Sequence, residues 1–231
     1  SFFVHFSSNR SDFGSDKKYH SFYAWNSLHH KYWKGCPFLV ILKEKKKGSM
    51  PYDEKSPHHS SSLRKGGNSE TLCDAFQKGA EEAGYQVEKV SLAGKQLAFC
   101  QGCLSCQETR HCILHDDAEA ITAEMKASDV IVFASPVYYY GLQSAKDLLD
   151  RANPLFASDY KFRDIYFLAS AAEEGAKTPS RSITSLEGWI ECFPKAHLTG
   201  TVFAGGVTRV GDIKGHPALK KAYDMGRSLG E

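Results

Sequence analysis

Long hydrophobic runs are missing from this chain. Nothing in its 231 residues approaches the roughly 18 to 20 consecutive apolar positions that cross a bilayer, so no membrane span is expected. The opening Ser1-Phe2-Phe3-Val4-His5 lacks the basic stretch and apolar core of a secretory signal, and the expected location is cytoplasmic. Charge of one sign is also missing: the formal net charge is +2, which gives no argument for nucleic acid, and none is expected as a partner. There is no internal repeat, Walker loop or GxGxxG, so nucleoside triphosphate and dinucleotide folds of those types lose ground. No catalytic triad, paired-carboxylate arrangement or metalloprotease motif stands out either.

What is present divides into two unequal parts. Residues 1–61 are rich in Ser, His, Lys and aromatics, without a sustained period of 2 or 3.6, and read as an irregular extension. Their one strand-like run is Phe38-Leu39-Val40-Ile41-Leu42, followed by the charged Lys43 to Lys47. From 62 to 231 the pattern becomes regular. Ser69 can cap a helix to about Gly84 that carries Leu72, Phe76, Ala80 and Ala83 on one face. Strands are predicted at 86–90, 129–134, 165–169 and 201–204. Helices are predicted from Asp116 or Asp117, over 142–152, around Ile183 to Phe193, and over 217–229. Asp129 to Ala134 is continuously apolar after its first residue, as a strand buried on both faces should be. Alternation of strand and helix argues for a three-layer, doubly wound α/β sheet.

Ligands of such sheets sit beyond the C-terminal ends of the strands. Two loops there carry chemistry. Ser62-Leu63-Arg64-Lys65-Gly66-Gly67-Asn68-Ser69 offers hydroxyls, a guanidinium and paired glycines at the start of the first helix, where the dipole favours an anion. A plain glycine turn with a helix cap explains the same residues. Ser135-Pro136-Val137-Tyr138-Tyr139-Tyr140-Gly141 follows the buried strand and offers aromatic surface on which a planar ligand can stack. Packing over the next helix, or a subunit interface, is the alternative.

These loops, in this order, resemble the NAD(P)H-dependent FMN reductase and iron–sulfur flavoprotein branch of the flavodoxin-like superfamily. The family shows a Ser-Pro-Arg-Lys-x-Gly-Asn-Ser loop, a cysteine-rich segment and an Ala-Ser-Pro-Val-Tyr loop. The matching stretches are Arg64 to Ser69, Cys100 to Cys112 with Asp116-Asp117, and Ala134 to Tyr138; Gly211 to Gly215 also looks like the family. The resemblance implies a flavodoxin-like parallel sheet. It also implies FMN with its phosphate held by Ser62, Arg64, Asn68 and Ser69, and its ring beside Ser135, Pro136, Val137 and Tyr138. The Ser170-Ala171-Ala172 loop would border the flavin. The sequence departs from the family in one place. The polar Glu54 to Ser61 cannot be the buried first strand that should lead into the phosphate loop, and Leu63 stands where the family has proline. Either Phe38 to Leu42 supplies the strand through a long connection, or the N-terminal third is not native to the family.

Seven cysteines is an odd count, and four are crowded as Cys100-x2-Cys103-x2-Cys106-x5-Cys112. Spacing this tight wraps one soft-metal site and suits a [4Fe–4S] cluster or zinc; free thiols beside a flavin are the plainer reading. His111 and His115 flank the array. Asp116-Asp117 reads as a capping pair opening a helix. The expected function is an oxidoreductase that takes electrons from NAD(P)H or a reduced ferredoxin-type donor. Through FMN it would pass them to a quinone, flavin or other small-molecule or protein acceptor. The alternatives are a non-enzymatic electron carrier between proteins and a zinc-stabilised module with a damaged flavin site. By resemblance, a homo-oligomer is expected.

Overall fold

Apolar residues alternate to both sides along the run at 38–42, and that pattern decides where it goes. In the computed structural model, which describes residues 38–44 and 66–230, the run is strand β1 (Phe38–Glu44). Leu39 and Ile41 enter one hydrophobic cluster while Val40 and Leu42 enter the other, and all four are buried. The sheet takes four further strands: β2 (Tyr85–Ser91), β3 (Val130–Pro136), β4 (Asp164–Ser170) and β5 (His197–Ala204). Helix α1 (Asn68–Glu82) and helix α6 (Pro217–Arg227) cover the Val40 face. Helices α3 (Asp117–Ala127), α4 (Ser144–Arg151) and α5 (Ser180–Ile190) cover the Ile41 face. A short helix α2 (Ser105–Thr109) lies within the cysteine segment.

Strand order is β2-β1-β3-β4-β5, the doubly wound flavodoxin-like arrangement. β3, β4 and β5 run parallel. β1 is antiparallel to both neighbours, with Val40 opposite Lys89 on one side and Val132 on the other. The expected doubly wound α/β sheet is present with a mostly parallel core, and β1 is its one reversed strand. The cause lies in the chain order. A strand leading straight into the first helix must be apolar, and the residues before Gly66 are not. The slot between β2 and β3, buried on both faces, is filled by an apolar run that residues 45–65 separate from α1, so its direction is not dictated by a short connection.

Helix α1 is held against α6 by contact of bare backbone. A Cβ on Gly79 would lie 2.1 Å from the Tyr223 carbonyl oxygen, and one on Gly226 would lie 2.2 Å from that of Phe76. Only glycine at both positions permits this approach. The contact holds α1 close against α6 at Gly79 and Gly226.

Truncating the central strand tests its place in the core. Leu39→Ala is expected to lower unfolding free energy by about 2–5 kcal/mol in urea melts, the cost of a buried leucine. A loss below about 0.5 kcal/mol, the size of an exposed change, would remove β1 from the sheet.

Candidate functional site

Three loops meet at the C-terminal ends of β3 and β4. The first is the turn into α1. Gly66 adopts φ +76°, open to glycine at no cost, and its N–H donates to the Glu70 carboxylate at 2.9 Å. Glu70 is buried, and its carboxylate lies 3.6 Å from Lys89 Nζ. No side chain caps the helix at Gly67, so the first-turn amides of Asn68 and Ser69 face the loop side as donors. Ser62 and Arg64, expected beside them, lie outside the described residues. The Asn68 side chain instead ties this turn to the segment before α6. Its Nδ2 donates to the Arg209 carbonyl at 3.0 Å, and its Oδ1 accepts from the Ile213 amide at 3.4 Å.

The second and third loops are stitched to the first. Ser69 Oγ and Ser170 Oγ share a buried hydrogen bond of 2.7 Å, and the Val137 amide donates to the Ser170 carbonyl at 2.8 Å. Asn68, Ser69, Val137 and Ser170 are thus linked at one sheet end. Ser135 is buried, with its hydroxyl within reach of the loop's own Pro136 and Leu142 carbonyls at 3.0 and 3.2 Å. Pro136 and Tyr138 are partly exposed.

Beyond Tyr138 the chain turns sharply. Tyr138 and Gly141 pair their backbones, with Tyr139 at φ +47° and Tyr140 at φ +63° between them. Two left-handed central residues make the turn type that asparagine and glycine usually fill, and tyrosine there is strained by roughly 1–3 kcal/mol per residue. Helix α5 holds it: Ser182 Oγ donates to the Tyr140 carbonyl at 2.9 Å, and Arg181 stacks 5.2 Å from the Tyr140 ring centroid. Tyr140 Oη donates to the Glu173 carboxylate at 3.2 Å. Tyr139 projects outward, 85 % exposed.

A second centre lies across α4. Cys100, Cys103, Cys106 and Cys112 line one cavity of about 130 Å³, with Arg151 and Asn153 in its wall. All four are free thiols. The Ser105 amide and hydroxyl hold the Cys103 thiol below its ordinary value, whereas burial pushes Cys106 up. As soft donors on one cavity wall, the four thiols suit an iron–sulfur cluster or zinc in kind. Among the described residues, however, no three His, Cys, Asp or Glu side chains converge closely enough to hold a metal ion. His115 meets Glu119 at 3.4 Å, away in solvent. Cys73 is a core residue whose thiol burial pushes up, Cys192 is exposed, and Cys36 lies outside the described residues.

Arg151 is 1 % exposed, and it pairs with Asp116 through two contacts of 2.6 and 2.9 Å. Burial opposes charge on both groups. The Arg151 bonds and the Ala98 and Ala118 amides outweigh it and hold the Asp116 carboxyl below the usual range. Asp116 also caps α3 through the Ala118 amide at 3.0 Å, while Asp117 accepts from the Gln96 amide at 2.7 Å. The capping reading therefore holds for Asp116, whereas Asp117 ties the helix start to Gln96 and Lys95. Sequence reasoning passed over Glu70 and Arg151. The first stands three residues after Gly67, the spacing of a side chain that reaches back over a helix start. The second sits three residues after Leu148, on the apolar stripe of its helix, where a cation demands a partner.

Residues 60–206 match the family described as NADPH-dependent FMN reductase. The chain belongs to that family. An iron-sulfur flavoprotein of Methanocaldococcus jannaschii is 32 % identical over 184 residues, covering 74 % of this chain and 93 % of that protein. Another, of Archaeoglobus fulgidus, is 36 % identical over 94 residues, which span 40 % of this chain and 43 % of that relative. An NAD(P)H:quinone oxidoreductase structure from Methanothermobacter marburgensis superimposes with a TM-score of 0.55 over 73 % of this chain and 92 % of that one. At 18 % identity, this last likeness is one of fold. Family membership supports an FMN-dependent oxidoreductase, and no helix among the described residues is long and apolar enough to cross a membrane.

A carboxylate with a depressed pKa stabilises the fold above its unfolded pKa, near 4, and that contribution is lost as pH falls through the folded value. Asp116→Asn is expected to cost about 3 kcal/mol at pH 7. The gap from wild type should narrow as pH falls below about 4. Urea melts across pH 3 to 7 would read both effects, and a gap independent of pH would contradict the assignment.

Proposed function

We propose that the chain binds FMN at the junction of the three loops and works as an oxidoreductase between NAD(P)H, or a reduced protein donor, and a quinone, flavin or other small acceptor. The observation that carries this reading is the hydrogen-bonded link Ser69–Ser170–Val137. It draws an uncapped helix start and an aromatic loop to one sheet end, as a ligand with an anionic tail and a planar head requires. FMN bound there would accept and release a hydride or single electrons at its ring.

This chain's own residues would do the rest. First-turn amides of α1, with the Ser69 hydroxyl, would hold the phosphate, assisted by Ser62 and Arg64 of the same loop. Glu70 keeps the Gly66 turn in shape by accepting its amide, and Asn68 keeps the segment at 209–213 alongside. Pro136, Val137 and Tyr138 would cover one edge of the ring, with Ser135 bracing that loop from within. Residues after Ser170 would border the opposite edge.

A second reading, an electron carrier between proteins, is favoured by the four thiols on one cavity. With a [4Fe–4S] cluster held by Cys100, Cys103, Cys106 and Cys112, the chain would accept electrons from a ferredoxin-type protein. Assembly into homo-oligomers belongs to the same proposal.

Protein purified anaerobically should show the visible bands of bound flavin, and iron and zinc measured on the same sample decide the cysteines. Iron with turnover only by reduced ferredoxin selects the carrier; NAD(P)H oxidation with a quinone selects the enzyme. Colourless protein that takes up no added FMN would defeat both. Within the flavin site, Ser69→Ala is expected to raise the FMN Kd about tenfold, the loss of roughly one hydrogen bond. An unchanged Kd in fluorescence titration would remove Ser69 from the phosphate site.

A further inference from the structure

The cysteine segment leaves the sheet after Ser91 and returns at α3, and both of its stems come back to one guanidinium. Arg151 Nη1 donates to the Ala98 carbonyl at 2.8 Å, two residues before Cys100. Its Nη2 donates to the Leu114 carbonyl at 3.0 Å, two residues after Cys112. Asp116 closes the ring by accepting from Arg151 and also from the Ala98 amide, the latter at 2.8 Å. The carrier of this group is stiff, because α4 is anchored in the core by Ala145, Leu148 and Leu149. Arg151 Nε is buried without a hydrogen-bond partner, and Arg151 shares the cavity wall with Cys112. A buried arginine with a donor left over, beside one of four clustered thiols, is costly for a merely structural strut.

We propose that Arg151 and Asp116 form a buckle that closes the cysteine loop, making Arg151 the positioning residue that sets the spacing of Cys100 and Cys112 across the cavity. The planar fork matters: its two arms reach both stems at fixed separation, which a lysine cannot do. Its bearing on metal uptake rests on the reading of the four thiols as ligands. Outer partners that orient metal ligands are worth about 10- to 100-fold in affinity, and Arg151 acts at that level, through the backbone on either side of the thiols.

Arg151→Met, which keeps length and apolar stem, and Arg151→Lys are compared with wild type. Alkylation of each cysteine in metal-free protein is followed by mass spectrometry, and FMN content and the unfolding transition check the fold. Expected is a change in Cys100 and Cys112 alkylation rates of about tenfold in Arg151→Met, the equivalent of roughly one lost hydrogen bond, with Arg151→Lys falling between. After anaerobic addition of ferrous iron and sulfide, iron affinity should fall by about 10- to 100-fold in the same order. Unchanged alkylation in folded Arg151→Met overturns the buckle, whatever the iron. Failure of wild type to take up iron sinks the ligand reading alone, because the alkylation comparison still decides the buckle. Should Arg151→Met not fold, hydrogen exchange on the wild-type chain decides. An Ala98 amide as slow as those inside α3 supports the buckle, and a fast one overturns it.

Discussion

A strand sandwiched between two helical layers can offer neither face to water, and the rest of this molecule depends on how that demand is met. Leu39 and Ile41 serve one layer, and Val40 and Leu42 the other. Direction is secondary to this. A reversed strand still completes hydrogen-bond ladders with β2 and β3, whereas a polar strand would leave both cores open. With the slot filled, β3 and β4 stand side by side, and their C-terminal ends bring the aromatic loop and Ser170 together. The site at the sheet end is therefore a product of core packing some distance below it.

The two centres differ in what holds them. At the sheet end, short hydrogen bonds join loops that issue from neighbouring strands, so geometry follows from the sheet. Around the cysteines there is almost no regular structure to lean on. Helix α2 spans five residues, with Leu104 and Arg110 at its two ends in left-handed conformation. Order there comes from α3 and α4 reaching in from the core side, through Asp116 and Arg151. The apolar Leu104, Ile113 and Phe156 stay exposed around the cavity, so burial contributes little to holding it.

Much of this was legible in the residues. The continuous apolar stretch after Asp129 identified a strand buried on both faces, and the helical period of Leu72, Phe76 and Ala80 identified the layer beside it. Strand and helix limits agree with the predicted ones within a few residues, since caps and glycines mark them; β5, which starts at His197 with exposed residues, was seen only in its buried half. The reversal of β1 was not legible, because a continuous apolar run reads the same in both directions. Nor was the Arg151–Asp116 pair, since 35 positions separate its partners and only the tertiary fold brings them together. The strained tyrosine turn was hidden for a related reason: aromatic residues are poor markers of positive φ, and what holds this turn comes from α5 and Glu173.

The glycine contact between α1 and α6 has a consequence for recognition. Where two helices touch backbone to backbone, as at Gly79 and Gly226, no side chain at the crossing can yield, so relative movement of the helices there is opposed. The helix start at Asn68 and the segment it grips at Arg209 and Ile213 are carried by those two helices, and share their rigidity. An anion at the proposed site would meet donors whose freedom was surrendered when the chain folded. Little further ordering would then remain to oppose association, and the entropy of building that arrangement would fall on folding instead of on binding.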